Sequence, residues 1–531
     1  MRAVLVLAVV SVLVAGCLGS GNDPKSELED EVAPLLGTAW VNLALTENGT
    51  AHDHKLWEHH VNMSTPNFVE LAHDPLGIPA YGNKTAGGYF CGGSGVTEEG
   101  RHLTAINSFD TNIAFSVIDT TDPAAPKHVG DYFLDYAHTY DIDMTPDGRF
   151  VVIGANFVTE AQPEPQGGAA ALANGLAPDA PTVTSRVSFR DACTGKVTQG
   201  PDQTFAAGPS TILVSIEDPT MPTFADIVPA PIIGPHSVST ALIDGRLYAA
   251  SSITNLVHAA SYYHFFEIVD LPSGGAKLQL LSTMDAAAVG QTTPANGHMD
   301  AEIALHPVTN SPVVYLSNWG GGMVVLDFSV PQAPVPLGAW ADTGPSGGAM
   351  HSTLSLPDVH NGRHYVLAGQ EFIGHPQSGR PTGWIYILDD TDPSNVVEVG
   401  RWTLPIDTQG DWGGVELFST HYFRVLNDTA FVAMYHGGVW AFHLDFANPE
   451  NMKEPRTLGV FLPAKAPQDG RELDWGFAGG FYNYAPFVLD LFVFPENKLV
   501  VYDSLTGVYS VEWHPEVVLE SPPPWPVDGE T

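Results

Sequence analysis

Histidine recurs at the start of short apolar segments throughout this chain. Segments such as "GPHSVSTA" and "NGHMDAEI" place one histidine just before an alternating apolar run. Imidazole coordinates transition metals, and it also forms buried hydrogen bonds through one donor and one acceptor nitrogen. The pattern therefore indicates either ligands for a metal or an anion, or a repeated structural hydrogen bond. We expect five histidines to occupy one equivalent position of their repeats, forming a single column: His138, His236, His298, His351 and His421.

Two further side chains with metal-binding chemistry follow the second apolar run of their repeats. Glu371 stands in "LAGQEF" and His436 stands in "AMYHGG". Imidazole combined with one carboxylate suits zinc, copper or non-haem iron. If the repeats are arranged in a wide ring, only neighbouring repeats lie close together, so we predict that the ligands of one metal come from adjacent repeats. The predicted metal ligands are His298, His351, Glu371, His421 and His436.

Polar residues near the same repeat positions predict a surface that binds a ligand. Side chains alternate between the two faces of a strand, so residues two apart share one face. Asp141 and Asp143 are out of phase with the histidine of their own repeat under this rule. The predicted ligand-binding residues are His138, His236, Asn156, Asn318, Asp300 and Glu302.

The elements that position these residues are short strands in a sevenfold repeat. Segments such as "MVVLDFSVPQAPVPLGAW" recur about every 60 residues, a period typical of an array of small β-units. Residues 298–340 divide into four strands separated by turns, which is the signature of a propeller blade. The sequence thus predicts an all-β fold, a seven-bladed β-propeller of four-stranded antiparallel blades. An acid that can cap the following turn closes the third run of each repeat, at Asp119, Glu217, Asp270, Asp327, Asp389, Asp445 and Glu512.

The N-terminal residues predict export and a lipid anchor. A short basic start precedes an apolar run, and "LVAGC" resembles a lipobox ending at Cys17, the predicted lipidation site. A plain secretory signal is the alternative. The predicted location is the outer face of a prokaryotic cytoplasmic membrane. The predicted segments are a signal peptide at 1–16, a flexible acidic tether at 17–36, an N-terminal extension at 37–84, the propeller at 85–521 and a disordered tail at 522–531.

Two segments are left with open interpretations. The extension at 37–84 fits no repeat, and it either closes the ring or packs on one face. The stretch 157–211 is a long insertion between two strands of the second blade, rich in alanine, proline and glycine. We interpret this loop as a mobile flap on the histidine-bearing face. The alternative is an insertion that has no function.

Composition limits the partners and the redox state. The chain has 21 Lys plus Arg against 60 Asp plus Glu, a net charge of -39, so it lacks the basic surface that nucleic acid requires. With Cys17 lipidated, an exported chain retains Cys91 and Cys193, which predicts a disulfide between them. Two free thiols are the alternative.

The repeats resemble two known families. "VIDTTDP", "VLDFSVPQAP" and "ILDDTDP" resemble LVIVD repeats of bacterial and archaeal surface proteins, which implies a β-propeller over most of the mature chain. "PHSVSTALIDGRLYAAS" and "HMDAEIALH" are similar to histidine motifs of the selenium-binding-protein family, which includes copper-dependent methanethiol oxidases. The cysteine of that family's motif is absent, since Thr240 and Ala241 stand there.

These observations leave two function classes. The first is a module that binds a small molecule or a surface protein through its histidine-rich channel face, held to the membrane by lipid. The second is a metal-dependent oxidoreductase with zinc, copper or iron held by histidine and glutamate at the channel mouth. No residue is singled out as catalytic, and no cofactor other than such a metal is expected.

Overall fold

The fold is known from a computed structural model, which describes part of the chain. The predicted signal peptide, tether and C-terminal tail lie outside the described residues, as do Cys17 and Cys193. Predictions about those segments stay predictions. The described residues are 64–76, 89–108, 113–134, 137–157, 182–191, 197–206, 208–230, 235–253, 262–285, 289, 298–318, 322–342, 350–371, 383–404, 419–465 and 486–517.

Thirty short strands make up the described fold. The first fifteen are β1 (Phe68–Asp74), β2 (Tyr89–Val96), β3 (His102–Ser108), β4 (Ile113–Asp119), β5 (Lys127–Leu134), β6 (Ala137–Met144), β7 (Phe150–Phe157), β8 (Thr182–Asp191), β9 (Val197–Ala206), β10 (Gly208–Ser215), β11 (Thr223–Pro229), β12 (Pro235–Ile243), β13 (Arg246–Ile253), β14 (Tyr262–Asp270) and β15 (Ala276–Asp285). The others are β16 (His298–His306), β17 (Ser311–Asn318), β18 (Gly322–Asp327), β19 (Val335–Trp340), β20 (Met350–Ser355), β21 (Tyr365–Gln370), β22 (Ile385–Asp389), β23 (Val397–Trp402), β24 (Phe423–Leu426), β25 (Thr429–Ala433), β26 (Val439–His443), β27 (Thr457–Phe461), β28 (Val488–Phe494), β29 (Lys498–Asp503) and β30 (Gly507–Trp513). A short 3-10 helix spans Pro449–Met452.

Seven antiparallel sheets form the blades of a propeller. From the inner strand outward, the orders are β2-β3-β4-β5, β6-β7-β10-β11, β12 to β15, β16 to β19, β20 to β23, β24 to β27, and β28-β29-β30-β1. The inner strands contact one another around the axis, as β6 contacts both β2 and β12. Packing there is tight, since a Cβ on Gly93 of β2 would lie 1.9 Å from the backbone nitrogen of Met144. The predicted seven-bladed, four-stranded architecture is confirmed.

The apolar core lies between neighbouring blades. Trp402 of the fifth blade stacks on Phe442 of the sixth, with ring centroids 4.9 Å apart and planes at 14°. Equivalent clusters of buried side chains join the other blades that pack against each other. Alternation along each strand produces this arrangement, because a blade buries both of its faces and each face meets the next blade.

An N-terminal strand closes the ring. β1 pairs antiparallel with β30, so it is the outer strand of the seventh blade. We expected the propeller to begin at residue 85, and that boundary is wrong, because residues 68–74 already form a strand of the seventh blade. The extension closes the ring with residues 68–74, the first of the two alternatives. Pairing β1 with β30 fastens the N-terminal side of the propeller to its last blade, so the first and seventh blades cannot separate without breaking this strand pair.

Phe68 in β1 anchors this closure. Its buried ring packs on Trp513 with centroids 4.7 Å apart, and on Phe431 and Phe461 at 6.2 and 6.3 Å. We expect Phe68→Ala to lower the free energy of unfolding by about 3–5 kcal/mol, since it empties an aromatic site between two blades. Urea unfolding measures this. Val69→Ala, on the exposed face of the same strand, is the control, and equal effects of the two variants would contradict the closure.

The described part of the 157–211 insertion is a β-hairpin. β8 and β9 pair with each other, and β8 pairs with β5 at the outer edge of the first blade. That sheet therefore has six strands. The interpretation as a flap over the channel face is wrong for these residues, because they widen a neighbouring blade at its rim. Runs such as "TVTSRVSF" are rich in strand-forming residues and could have predicted the hairpin. The alanine- and proline-rich composition of the rest of the insertion obscured them.

Four of the repeated acids cap the turn that follows them. Asp119, Asp327 and Asp389 each accept a hydrogen bond from the backbone N–H two residues later, at 2.8 to 3.0 Å. Asp445 accepts one from Asn448 at 2.9 Å. The predicted structural role is confirmed for these positions.

Candidate metal centre and acidic channel

A β-bulge in the inner strands decides which histidines share one position. The register shifts between Pro235 and Ser237 in β12, and between Met350 and Ser352 in β20, so His236 and His351 are the bulged residues. His421 takes the same position in the sixth blade. Ala433 lies opposite Tyr422, since its N–H donates to the Tyr422 carbonyl, and the Ala433 carbonyl also accepts the N–H of His421, which is therefore the extra residue. Three of the five predicted histidines are thus equivalent.

The other two histidines stand at different positions. The bulge in β6 lies between Thr139 and Asp141, and the bulge in β16 lies between His298 and Asp300. The bulged residues there are those at positions 140 and 299, so His138 and His298 come earlier in the repeat. The expectation of one column of five histidines is therefore wrong. The side chains of His138, His298 and Asn156 lie outside the described part of the structure.

His351, Glu371 and His421 converge at the junction of blades five and six. Their ligand atoms all lie within 4.8 Å of one another, and all three residues are buried. The Nε2 atom of His351 lies 3.8 Å from Oε2 of Glu371, and the two imidazole rings are 4.2 Å apart. The structure therefore brings together three of the five predicted metal ligands, and they come from adjacent blades.

Neighbouring groups fix the orientation of these ligands. Nδ1 of His421 lies 3.1 Å from the Leu489 carbonyl, a contact that requires the proton on Nδ1 and leaves the lone pair on Nε2. The hydroxyl of Tyr435 donates to Oε1 of Glu371. Tyr435 has a φ of 49°, a strained left-handed conformation, and it is held by backbone hydrogen bonds of 2.9 and 3.0 Å to Val488.

Burial sets the charges of the three residues. It lowers the pKa of His421 to about 3. It also lowers the pKa of His351 well below the usual value, and nearby His421 and His236 add to that effect. Burial raises the pKa of Glu371 to about 7, against the hydrogen bond from Tyr435. Both imidazoles are consequently neutral at pH 7, the form in which histidine binds metals.

The remaining predicted ligands lie outside this group of three. His436 is buried against the ring of Phe487, with centroids 4.9 Å apart. Asn318 is buried at the end of β17. His236 is near enough for its charge to affect both His351 and His421, and burial lowers its own pKa to about 4.

A second buried cluster was not predicted. Nδ1 of His364 lies 2.5 Å from Oδ1 of Asp390, and Nε2 of His306 lies 2.9 Å from the Asp390 carbonyl. Tyr315 donates to Oδ2 of Asp390 at 2.6 Å, and Nε2 of His364 bonds the Leu356 carbonyl at 2.7 Å. These contacts join blades four and five. His306 and His364 therefore make the kind of buried structural hydrogen bond that the sequence indicated as one of the two roles for histidine. Neither histidine begins an inner strand, so the histidine pattern gave no signal for them.

Below the histidines, an acidic cavity lies inside the ring of inner strands. Its volume is about 250 Å³. The bulge before Asp141 resets the alternation, which is why Asp141 and Asp143 reach the cavity despite their predicted phase. Asp300 and Glu302 also line it, so they belong to the channel and not to the mouth. Its charged residues are Asp141, Asp143, Asp300, Glu302, Asp490 and Arg424.

Tyr422 connects the two sites. Its ring lies 4.8 Å from that of His421 and 5.5 Å from that of His351. Its hydroxyl lies 3.5 Å from Oδ2 of Asp141, and Tyr422 also lines the cavity.

Cys91, buried in β2, has a free thiol in the structure. Since Cys193 lies outside the described residues, their pairing stays a prediction.

The fold and these sites define a seven-bladed β-propeller with a buried histidine–glutamate centre. No family model matches the chain, and no curated protein matches it. The resemblances to LVIVD repeats and to the selenium-binding-protein family therefore stay predictions.

Solved propellers resemble the chain at low identity. The Dos1 propeller is 12% identical, with 84% of this chain and 94% of that chain covered and a TM-score of 0.41. The WD40 β-propeller domain of Doa1 is 9% identical, with 83% and 97% covered and a TM-score of 0.40. The designed protein Ika8 is 8% identical, with 83% and 100% covered and a TM-score of 0.38. These similarities carry no argument about function. The assignment of the chain as a seven-bladed β-propeller rests on its own seven sheets.

Proposed function

We propose that this propeller is a lipid-anchored, extracytoplasmic binding module whose channel mouth holds a transition metal. The observation that carries the proposal is the convergence of His351, Glu371 and His421 within 4.8 Å in a buried position. A metal there would create a Lewis-acidic contact for a small ligand or a segment of a surface protein at the channel face. The strongly negative chain argues against nucleic acid as that partner.

The three residues fit a first-row transition metal. Two neutral imidazoles and one carboxylate are donors suited to zinc, copper or non-haem iron. Ligands that are about 2.1 Å from a tetrahedral ion are about 3.4 Å from one another, so separations of up to 4.8 Å must shorten by up to about 1.4 Å. Rotation of side chains in a hydrogen-bonded frame can supply that shift. Three protein ligands also leave at least one coordination position open, as catalytic and ligand-binding centres require.

Metal analysis of the purified protein tests the proposal. After chelation and dialysis, the protein is loaded with zinc, copper or iron in turn, and bound metal is measured by elemental analysis. We expect one equivalent of at least one of these metals to remain after gel filtration. Sub-stoichiometric retention of all three would reject the centre.

A second candidate is a metal-dependent oxidoreductase. Two histidines with one carboxylate form a donor set that leaves positions open for a substrate. Two tyrosines also pack against the histidines, with Tyr422 at 4.8 Å and Tyr435 at 5.5 Å from the His421 ring. A bound copper or iron would supply one-electron chemistry, whereas a centre selective for zinc supports the binding module. Copper binds most sites of this donor type tightly, so retention alone does not separate the candidates, whereas reversible reduction and oxidation of the loaded copper or iron, followed by absorption spectroscopy, does.

The anchor has its own test. Among the described residues, no helix is long and apolar enough to cross a membrane. We expect Cys17→Ser to move the protein from the membrane fraction to the soluble fraction, because removing the lipidated cysteine removes the acyl chains. Fractionation of cells that produce each form measures the change. Continued detergent-dependent association of the variant would contradict the lipobox.

A further inference from the structure

A third histidine stands at the same repeat position as two of the candidate metal ligands. His236 is the bulged residue of β12, as His351 is of β20, and His421 takes that position in the sixth blade. Because the blades repeat around one axis, residues at equivalent positions project from their inner strands in equivalent directions. The rings of His351 and His421 lie 4.2 Å apart, so this direction leads to the channel mouth. His236 therefore faces the same space from the third blade.

The His236 ring keeps accessible surface, whereas the other two rings do not. His351 and His421 are 3% and 2% exposed, but His236 is only half-buried. Loss of solvent still lowers the pKa of His236 to about 4, so protein encloses this ring as well. An enclosed ring that keeps accessible surface borders an internal space, which here is the channel mouth. The neutral ring offers that space one N–H donor and one acceptor nitrogen.

No described residue uses these two nitrogens. In the part of the chain that the structure describes, no hydrogen bond or ion pair involves the His236 imidazole. Nδ1 of His421, in contrast, is held by the Leu489 carbonyl. His236 is nevertheless close to the centre, since its charge acts on both His351 and His421. Enclosed polar groups normally have a partner, so a group bound between His236 and the centre would complete the arrangement.

The charge of a loaded centre selects the class of that group. A divalent ion with two neutral imidazoles and the Glu371 carboxylate keeps one net positive charge. An uncompensated charge in a buried site is costly. Asp141, which Tyr422 connects to the centre, is a poor source of the missing negative charge, because burial holds its pKa well above the ordinary value. A bound anion with a single negative charge would supply the compensation.

We propose that the channel mouth binds a small monoanion between the metal and His236. The anion would occupy the coordination position that His351, Glu371 and His421 leave open, and it would accept a hydrogen bond from the His236 imidazole. His236 lies outside the group of three, so its role is to bind the anion and not the metal. This inference rests on the proposed metal centre and names the class of ligand that the same site takes.

Calorimetry with azide tests the inference on the purified, metal-loaded full chain at pH 7. We expect one equivalent of azide to bind, and we expect His236→Ala to weaken that binding about tenfold, because a hydrogen bond to a charged group is lost. His236→Gln keeps an N–H donor and should bind azide more tightly than His236→Ala. Elemental analysis should find equal metal in all three forms, and thermal unfolding confirms that each is folded.

His264→Gln is the matched control. His264 is another histidine of the third blade, buried in β14, and burial lowers its pKa to about 4 as well. Its charge is not among the influences on His351 or His421. We expect His264→Gln to bind azide like the wild type.

Four results would overturn the inference. The first is a wild-type protein that retains metal but does not bind azide, and the second is equal azide affinity in wild type and His236→Ala. The third is loss of metal from His236→Ala, which would make His236 a metal ligand. The fourth is displacement of azide by neutral formamide as effectively as by formate, which would exclude selection for an anion. A wild type that retains no metal would reject the centre itself, and this inference with it.

Discussion

Replacing His421 with alanine is expected to reduce bound metal at least tenfold while the propeller stays folded. His421 supplies one of three protein ligands, and loss of even an outer-sphere partner of a metal ligand typically costs 10–100-fold in affinity. Its imidazole also makes a hydrogen bond to the Leu489 carbonyl, worth about 1 kcal/mol, and packs against the rings of Tyr422 and Tyr435, so a modest loss of stability accompanies the loss of metal. Elemental analysis after loading, together with a thermal unfolding curve, measures both effects.

His436→Ala is the matched control for that experiment. His436 is another buried histidine of the same blade, but it lies outside the group of three. We expect His436→Ala to retain the metal that His421→Ala loses. If His421 is instead only a structural residue, the wild type should hold no stoichiometric metal and His421→Ala should lower the melting temperature. Equal metal content in the two variants would exclude His421 as a ligand.

The blades could be predicted from the sequence because each repeat carries its own signals. Acids such as Asp327 and Asp389 cap the turn within their own blade, so a local pattern reports a local contact. The closing strand β1 gave no such signal, since "FVELAHD" pairs with a strand more than 430 residues away. Pairing between chain ends depends on the geometry of the closed ring, which no window of sequence contains.

The candidate site was predicted in part for a similar reason. His351, Glu371 and His421 were grouped because adjacent blades must be adjacent in space. The β-bulges were missed, since a single extra residue has no distinctive composition and yet moves every following side chain to the other face. That shift removed His138 and His298 from the column and brought Asp141 and Asp143 into the channel.

The channel acids also give the protein an unusual dependence of stability on pH. Burial is the largest cause that raises the pKa of Asp143 to about 7 and that of Glu302 to about 8, from ordinary values of 3.8 and 4.5. Asp300, Asp390 and Arg424 are the charged neighbours of Glu302, and of these only Arg424 favours its ionised form. Above pH 6.5 the folded state therefore holds protons on these groups that the unfolded state has released. Folding stability must fall as pH rises through this range.

We expect the free energy of unfolding of the metal-free protein to fall between pH 6.5 and pH 8.5. Glu302 alone contributes a fall on the order of 1–2 kcal/mol, because each pH unit costs about 1.4 kcal/mol while only the unfolded state is ionised. The window begins at pH 6.5 because His236 and His421, whose pKa values are lowered by desolvation, act in the opposite direction below it.

Urea unfolding at pH 6.5 and pH 8.5 measures the fall. Glu302→Gln cannot ionise, so it should lose less stability than the wild type between the two pH values. Glu98→Gln, at an exposed acid, should show the full wild-type fall. A wild-type stability that stays level or rises from pH 6.5 to pH 8.5 would show that these carboxyl groups ionise in the folded protein as freely as in water.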